Sequence, residues 1–240
     1  MRKDRPRNCA GLTTVLVVLT LAAVAPAHGA AAESGEASRS KEASGAKPDD
    51  GLFSGPQVGE PLPGFSFQRM FGKNPSEVLD PVKRASGKPV VVIFVHKVTR
   101  PGIAAIRVVT KFLGKKKPTG ITAAVVFLTD DPTSTVNFMK RARRALPSEV
   151  PIGYSRDGIE GPGAYGLNRQ VELTVLVANQ GKVTANLALV QPSMPVDVPK
   201  ILKAIVAQVG GKVPTLASLG VTPRRGRAGL PAEVANRVRQ

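Results

Sequence analysis

Apolar residues in this chain fall into continuous strand-length runs separated by stretches with helical spacing. The clearest run, Val90 to Val95, is β-branched and aromatic throughout, the pattern of a strand covered on both faces. After a short loop, Ile103, Ile106, Val109 and Leu113 share one face of a helix predicted from Pro101 to Leu113, with Pro101 in its first turn and Gly114 ending it. Lys115 to Lys117 then read as a basic turn, and Ile121 to Leu128 as a second buried strand. Asp131-Pro132 predicts a cap followed by proline at the first helical position, opening a helix to about Leu146. Val136, Met139, Ala142 and Leu146 would face the sheet, with Lys140, Arg141, Arg143 and Arg144 on the other side.

Val150 to Tyr154 reads as a short strand closed by an Asp157-Gly158 turn, and Val171, Leu173, Val175 and Val177 alternate on one face of the next strand. Asn179-Gln180-Gly181-Lys182 is a hairpin connection to a strand from Val183 through Val190, which makes this pair antiparallel. Asp197 is the expected cap of a last helix carrying Ile201, Leu202, Ile205, Val206 and Val209, stopped by Gly210 and Gly211. Upstream, residues 58–67 place a turn before a short strand, and Asn74 or Ser76 is the expected cap of a short helix through Leu79. The order of elements predicts an α/β fold, a central mixed sheet flanked by helices.

The ends differ in composition from this middle. Met1 to Ala32 has a positive start (Arg2, Lys3, Arg5, Arg7), an apolar centre from Leu12 to Ala25, and small residues at Ala25, Ala27, Ala30 and Ala32. That is a secretory signal pattern, and its centre is short for a membrane span of about 20 residues. An exported protein, periplasmic or extracellular, is therefore expected, with membrane anchoring as the alternative if the segment stays uncleaved. Residues 33–56 have no hydrophobic period and read as a disordered linker, leaving a folded domain over 57–210. Residues 211–240 read as a mobile basic tail: six Lys and Arg against Glu233 give +5, and Leu230 to Val238 has the pattern of a short amphipathic helix against a partner.

The formal charge is +17, and removing residues 1–32, with four basic side chains and one acidic, leaves +14. Such a balance favours acidic partners. For an exported chain these are anionic lipid or cell-wall polymer rather than nucleic acid. The same charge also fits a surface that is simply well solvated, since no aromatic residues interleave with the basic ones. Cys9, the single cysteine, precedes the apolar segment and leaves with it. The mature chain then has neither thiol nor disulfide, which excludes thiol redox chemistry.

Few residues offer other chemistry. His96 is the one histidine after residue 32, with no second metal ligand or nucleophile at a recognisable spacing, so a structural role competes with a binding one. Arg100 could hold an anion at the helix start, or pair with Glu172. Asp130-Asp131 follows a strand as a cation site would, but capping and solvation account for both. Gly161-Pro-Gly-Ala-Tyr-Gly166 spells the dinucleotide fingerprint literally, yet a turn precedes it and a strand follows, so no dinucleotide is expected. Neither a metal nor a cofactor is indicated.

Val58-Gly59-Glu60-Pro61-Leu62-Pro63-Gly64-Phe65 resembles the opening of peroxiredoxin and redoxin families, and Lys88 to Phe94 resembles their central strand. Tyr165-Gly166-Leu167 and the Gly181-Lys182-Val183 hairpin resemble the segments around their cis-proline. The resemblance covers residues 56–209 and implies a thioredoxin-like sandwich, with redoxin oxidoreductase activity as the family's function. It also places the departures. Thr99 and Gly102 stand where thioredoxins have two cysteines flanking two residues, and where peroxiredoxins have a threonine and, three residues on, the peroxidatic cysteine. Val171 or Glu172 stands in place of the cis-proline. The expectation is a thioredoxin-like domain without redox cysteines, a non-catalytic binding or scaffold module. Its candidate contact loop comprises His96, Thr99, Arg100, Pro101, Gly102 and Glu172, and its partner is a protein or an anionic surface.

Overall fold

Val90 to Val95 forms strand β3, every residue of it buried, and the sheet extends from it on both sides. In the computed structural model, which describes residues 52–72, 74–116, 119–142 and 150–221, β3 pairs in parallel with β4 (Thr122–Phe127) and antiparallel with β6 (Leu173–Asn179). β4 pairs in parallel with β5 (Ile152–Ser155), and β6 antiparallel with β7 (Lys182–Leu189). Two short strands, β1 (Phe67–Arg69) and β2 (Val78–Leu79), complete a seven-stranded mixed sheet in the order β2-β1-β5-β4-β3-β6-β7. Helices α1 (Pro81–Ala85), α2 (Arg100–Lys116), α3 (Pro132–Ala142) and α4 (Asp197–Val209) flank it, as the sequence predicts for the fold class. Among the described residues no helix is long and apolar enough to cross a membrane.

Alternation along the strands divides the core. Val91, Ile93, Val95, Val125, Phe127, Leu173, Val175 and Val177 pack with Ile106, Val109 and Leu113 of α2, Met139 of α3 and Ile201, Leu202 and Ile205 of α4. Val92, Phe94, Val126, Leu176 and Ala178 point the other way, into a second layer with Phe65, Phe67, Ala85 and Tyr165. There the rings of Phe65, Phe94 and Tyr165 lie 5.2–5.3 Å apart, and the Tyr165 hydroxyl donates to the Pro63 carbonyl at 2.6 Å. Burial, with Asp80 nearby, pushes that hydroxyl's pKa up, so Tyr165 is a structural donor. β6 is thus covered on both faces, not on the one that its Val-Leu-Val-Val alternation suggested.

Several boundaries differ from the sequence expectation, each for a local reason. Gly114 does not end α2; the helix continues to Lys116, whose ammonium donates to the Gly210 carbonyl at 3.0 Å and stands over the Phe112 ring. Lys115 and Lys116 are therefore a last helical turn, where cations complement the exposed carbonyls. No helix forms up to Leu79: Ser76 has φ +75°, the chain returns as a β1–β2 hairpin, and Asp80 caps α1 through the N–H groups of Val82 and Lys83. Asp197 lies inside the first turn of α4, and its carboxylate accepts from the Ser193 N–H. Asp131 caps α3 as expected, accepting from Ser134 at 2.9 Å, while the predicted end of that helix at Leu146 lies outside the described residues. The hairpin expected at residues 179–182 forms, with Gln180 and Gly181 both at positive φ as a two-residue turn between twisted strands requires.

Both predicted flanks contribute to the packed body. The assigned linker ends in residues that dock on the sheet: Ser54 is buried, and the Asn186 side-chain amide donates towards the carbonyls of Ser54 and Pro56 at 2.9 Å each and Gly55 at 3.4 Å. The start of the assigned tail also packs, with Leu219 buried and its carbonyl accepting from Lys111. The signal segment, most of the linker and Leu230 to Val238 lie outside the described residues. Replacing Asn186 by Ala should free residues 54–56 and lower stability by about 1–2 kcal/mol. Urea denaturation measures the loss and protease cleavage near Phe53 the release, and unchanged stability with unchanged protease resistance would contradict both.

Candidate functional site

The C-terminal end of β3 opens into the loop that starts α2, and Thr99 organises that start. Its Oγ1 accepts from the Gly102 N–H at 3.1 Å, as an N-cap hydroxyl does, and its carbonyl accepts from the Ile103 N–H at 2.9 Å. The same hydroxyl donates to Glu172 Oε2 at 2.7 Å. The Glu172 backbone completes the clasp: its carbonyl accepts from the N–H groups of His96 and Lys97, and its N–H donates to Leu189. Residues 73 positions apart in sequence are thereby fixed side by side.

Gly102 is buried directly beneath this contact. A Cβ built there would lie 2.9 Å from Thr99 Oγ1 and 3.9 Å from both Glu172 Oε2 and Leu173 Cδ1. Any side chain at this position must displace the capping hydroxyl, which is engaged in two hydrogen bonds. Arg100 and Pro101 are exposed. Arg100 does not pair with Glu172, as one expectation had it, because Thr99 occupies the carboxylate. Among the described residues the ion pairs are Arg69–Glu77, Arg169–Glu160 and Lys200–Asp197, and neither Arg100 nor Arg107 is paired within that set.

His96 is half-buried and turned away from the helix start. Its Nε2 lies 2.9 Å from Thr174 Oγ1, which is 2.6 Å from Ser54 Oγ, and Ser54 in turn accepts from the Asn168 N–H at 3.0 Å. Burial, reinforced by Lys97, lowers the His96 pKa to about 4, so the ring is neutral at pH 7. The histidine tethers residues 52–56 and the 168–172 segment to the end of β3. Ser54 and Thr174 were not singled out from sequence. Thr174 is the polar member of a run otherwise apolar from Leu173 to Ala178, and a hydroxyl buried in such a run needs a partner.

Beside the helix start, a groove of about 340 Å³ runs between α2 and α3, lined by Val98, Thr99, Arg100, Ile103, Ala104, Arg107 and Phe138. Val98 and Phe138 are 48% and 43% exposed, high for apolar side chains of that size on one surface. Sequence periodicity passed over Phe138, which lies off the core-facing stripe of α3. The other candidates are structural. Asp130 accepts from Ile159, Asp131 caps α3, and no group of three His, Cys, Asp or Glu among the described residues could hold a metal. Gly161 of the literal fingerprint adopts φ +67° and leaves no room for a Cβ beside Leu167, and a strand follows it.

No family model matches the chain, and no curated protein matches its sequence. Among solved structures, a putative thiol:disulfide interchange protein DsbE from Chlorobium tepidum superposes with a TM-score of 0.51 at 19% identity, over 64% of this chain and 99% of that one. The fold is thioredoxin-like. Two further redoxin-type structures overlay at lower scores. A putative protein disulfide isomerase from Bacteroides thetaiotaomicron gives 0.48 at 16% identity, over 64% of this chain and 94% of that one. Peroxidoxin BcpB from Mycobacterium tuberculosis gives 0.45 at 18% identity, over 63% and 97%. In this thioredoxin-like chain the start of α2 carries no sulfur, because the single cysteine is Cys9.

Two outcomes follow from the geometry. Gly102→Ala should destabilise by about 1 kcal/mol where a helical position would ordinarily gain that amount, and in a Thr99→Ala background the sign should reverse; a double-mutant cycle by urea unfolding reads both. His96 adds a pH dependence of defined sign. Its folded pKa of about 4 lies below the unfolded 6.5, so the unfolded chain takes up a proton first and stability falls as pH drops through that window. Subtracting the same urea series for His96→Gln isolates this component, and identical pH profiles for the two proteins would contradict it.

Proposed function

We propose that this is an exported thioredoxin-like binding module that does not operate by thiol chemistry. Its contact surface is formed by residues 96–102 with 169–172 and the adjoining groove. The observation that carries the reading is the closure of the helix start. Gly102 occupies the position at which the redoxin resemblance expects a cysteine, and the Thr99–Glu172 contact fills the space such a side chain would need. A helix N-terminus activates a thiolate by favouring its negative charge. Here a carboxylate already holds that place, and its charge would oppose a second one. Export is supported by the Met1 to Ala32 pattern, and the high positive charge supports an acidic partner.

Redoxin oxidoreductase activity, the alternative that the fold suggests, requires a thiolate that the domain does not supply. Attachment to an anionic polymer or surface draws on the basic residues, of which Lys116 is already committed to the Gly210 carbonyl. The purified chain should neither reduce insulin with dithiothreitol nor consume hydrogen peroxide above the rate of its Cys9→Ser variant. Turnover that survives Cys9→Ser would overturn the binding-module reading.

A further inference from the structure

We infer that the groove between α2 and α3 is a docking site for an acidic segment of another protein that carries spaced apolar side chains. This rests on the binding-module reading and names the partner's chemistry. The floor of the groove is apolar, made by Val98, Ile103, Ala104 and Phe138, and Arg100 and Arg107, about two helical turns apart along α2, line its side. Among the described residues neither arginine is ion-paired and no carboxylate lines the groove. Arg141, exposed one turn beyond Phe138, extends the same charge along α3. Apolar recess and unpaired arginines together call for leucine- or phenylalanine-sized anchors between carboxylates.

The chain's own segments do not meet that requirement. Residues 33–51 hold no apolar side chain larger than alanine other than proline, too little to fill the recess. Residues 12–25 are apolar but contain no carboxylate, and residues 222–240 carry five arginines against Glu233, the wrong sign for this groove. A second copy would bring arginine against arginine in a chain of net charge +17. A flat anionic membrane meets the arginines but leaves the recessed floor uncovered.

The test is fluorescence anisotropy with the full chain and a labelled peptide of about twelve residues, glutamates with leucine at helical spacing. The controls are one peptide with lysine for glutamate and one with serine for leucine. The expected result is saturable binding of the Glu/Leu peptide alone, weakened at least about tenfold by Arg100→Glu/Arg107→Glu and also by Phe138→Ser. Lys182→Glu/Lys203→Glu, which makes the same change in net charge at exposed positions on β7 and α4 outside the groove lining, should leave it unchanged; thermal denaturation confirms that all variants fold. Equal loss from both charge reversals, or equal binding of the serine peptide, overturns the proposal in favour of non-specific attraction. A dimer that excludes the peptide, or phosphatidylglycerol vesicles that bind through Phe138 where the peptide does not, overturns it in favour of those occupants. Turnover that survives Cys9→Ser would end the binding-module reading whatever the peptide does, whereas peptide failure alone leaves that reading standing and removes the groove as its site.

Discussion

The hydroxyl of Thr99 holds two parts of the chain at once. Towards its own helix it satisfies the Gly102 N–H, one of the donors that a helix start leaves without an intrahelical partner. Away from it, the same oxygen donates to Glu172, whose backbone holds the end of β3 and the end of β7. A hydrogen bond to a charged acceptor contributes about 1.5–3 kcal/mol when its partner groups are otherwise satisfied. The cost is space: a Cβ in place of the glycine beneath it would force the capping hydroxyl to shift. The helix start is thus tightly packed at Gly102, and no cysteine stands there.

The second support lies behind the first. His96, Thr174 and Ser54 form a polar chain through the layer that α1 and the aromatic cluster cover, and it ties the incoming segment to the strand whose end carries the loop. Keeping His96 neutral is part of that arrangement, because a charged ring at a half-buried position would have to be solvated there. With both supports in place, the exposed residues around the helix start are Lys97, Val98, Arg100, Pro101, Arg169 and Gln170, together with the flank of α2. That division, a fixed inner loop and an open outer groove, is what the proposed binding role rests on.

Local pattern carried much of the fold. Val90 to Val95 was legible because a continuous apolar run needs no distant information, and the Gln180-Gly181 turn because two positive φ values demand such residues. Asp131 and Pro132 marked α3 for the same reason. What was not legible depended on partners far along the chain. Ser54 looks like linker until Thr174 and Asn186 arrive from more than a hundred residues away, and Leu219 looks like tail until α2 covers it. Gly114 was read as a stop, but the Lys116–Gly210 contact and the packing of Phe112 carry the helix past it. At the site, the proximity of residues 96–102 and 169–172 was expected from family order, whereas Thr99 as the link between them, and Phe138 as part of the surface, required the three-dimensional arrangement.

The Thr99–Glu172 contact lies at the position where the redoxin resemblance expects a thiol. The most direct measurement installs that thiol as Gly102→Cys in a Cys9→Ser background and follows its alkylation rate by iodoacetamide against pH. If the contact closes that position, the thiol titrates above the ordinary value of about 8.5, with Glu172→Gln or Thr99→Ala lowering it and speeding the reaction. A thiol in Gly102→Cys alone that titrates well below that value would show the helix start to be open and activating, and would contradict that closure.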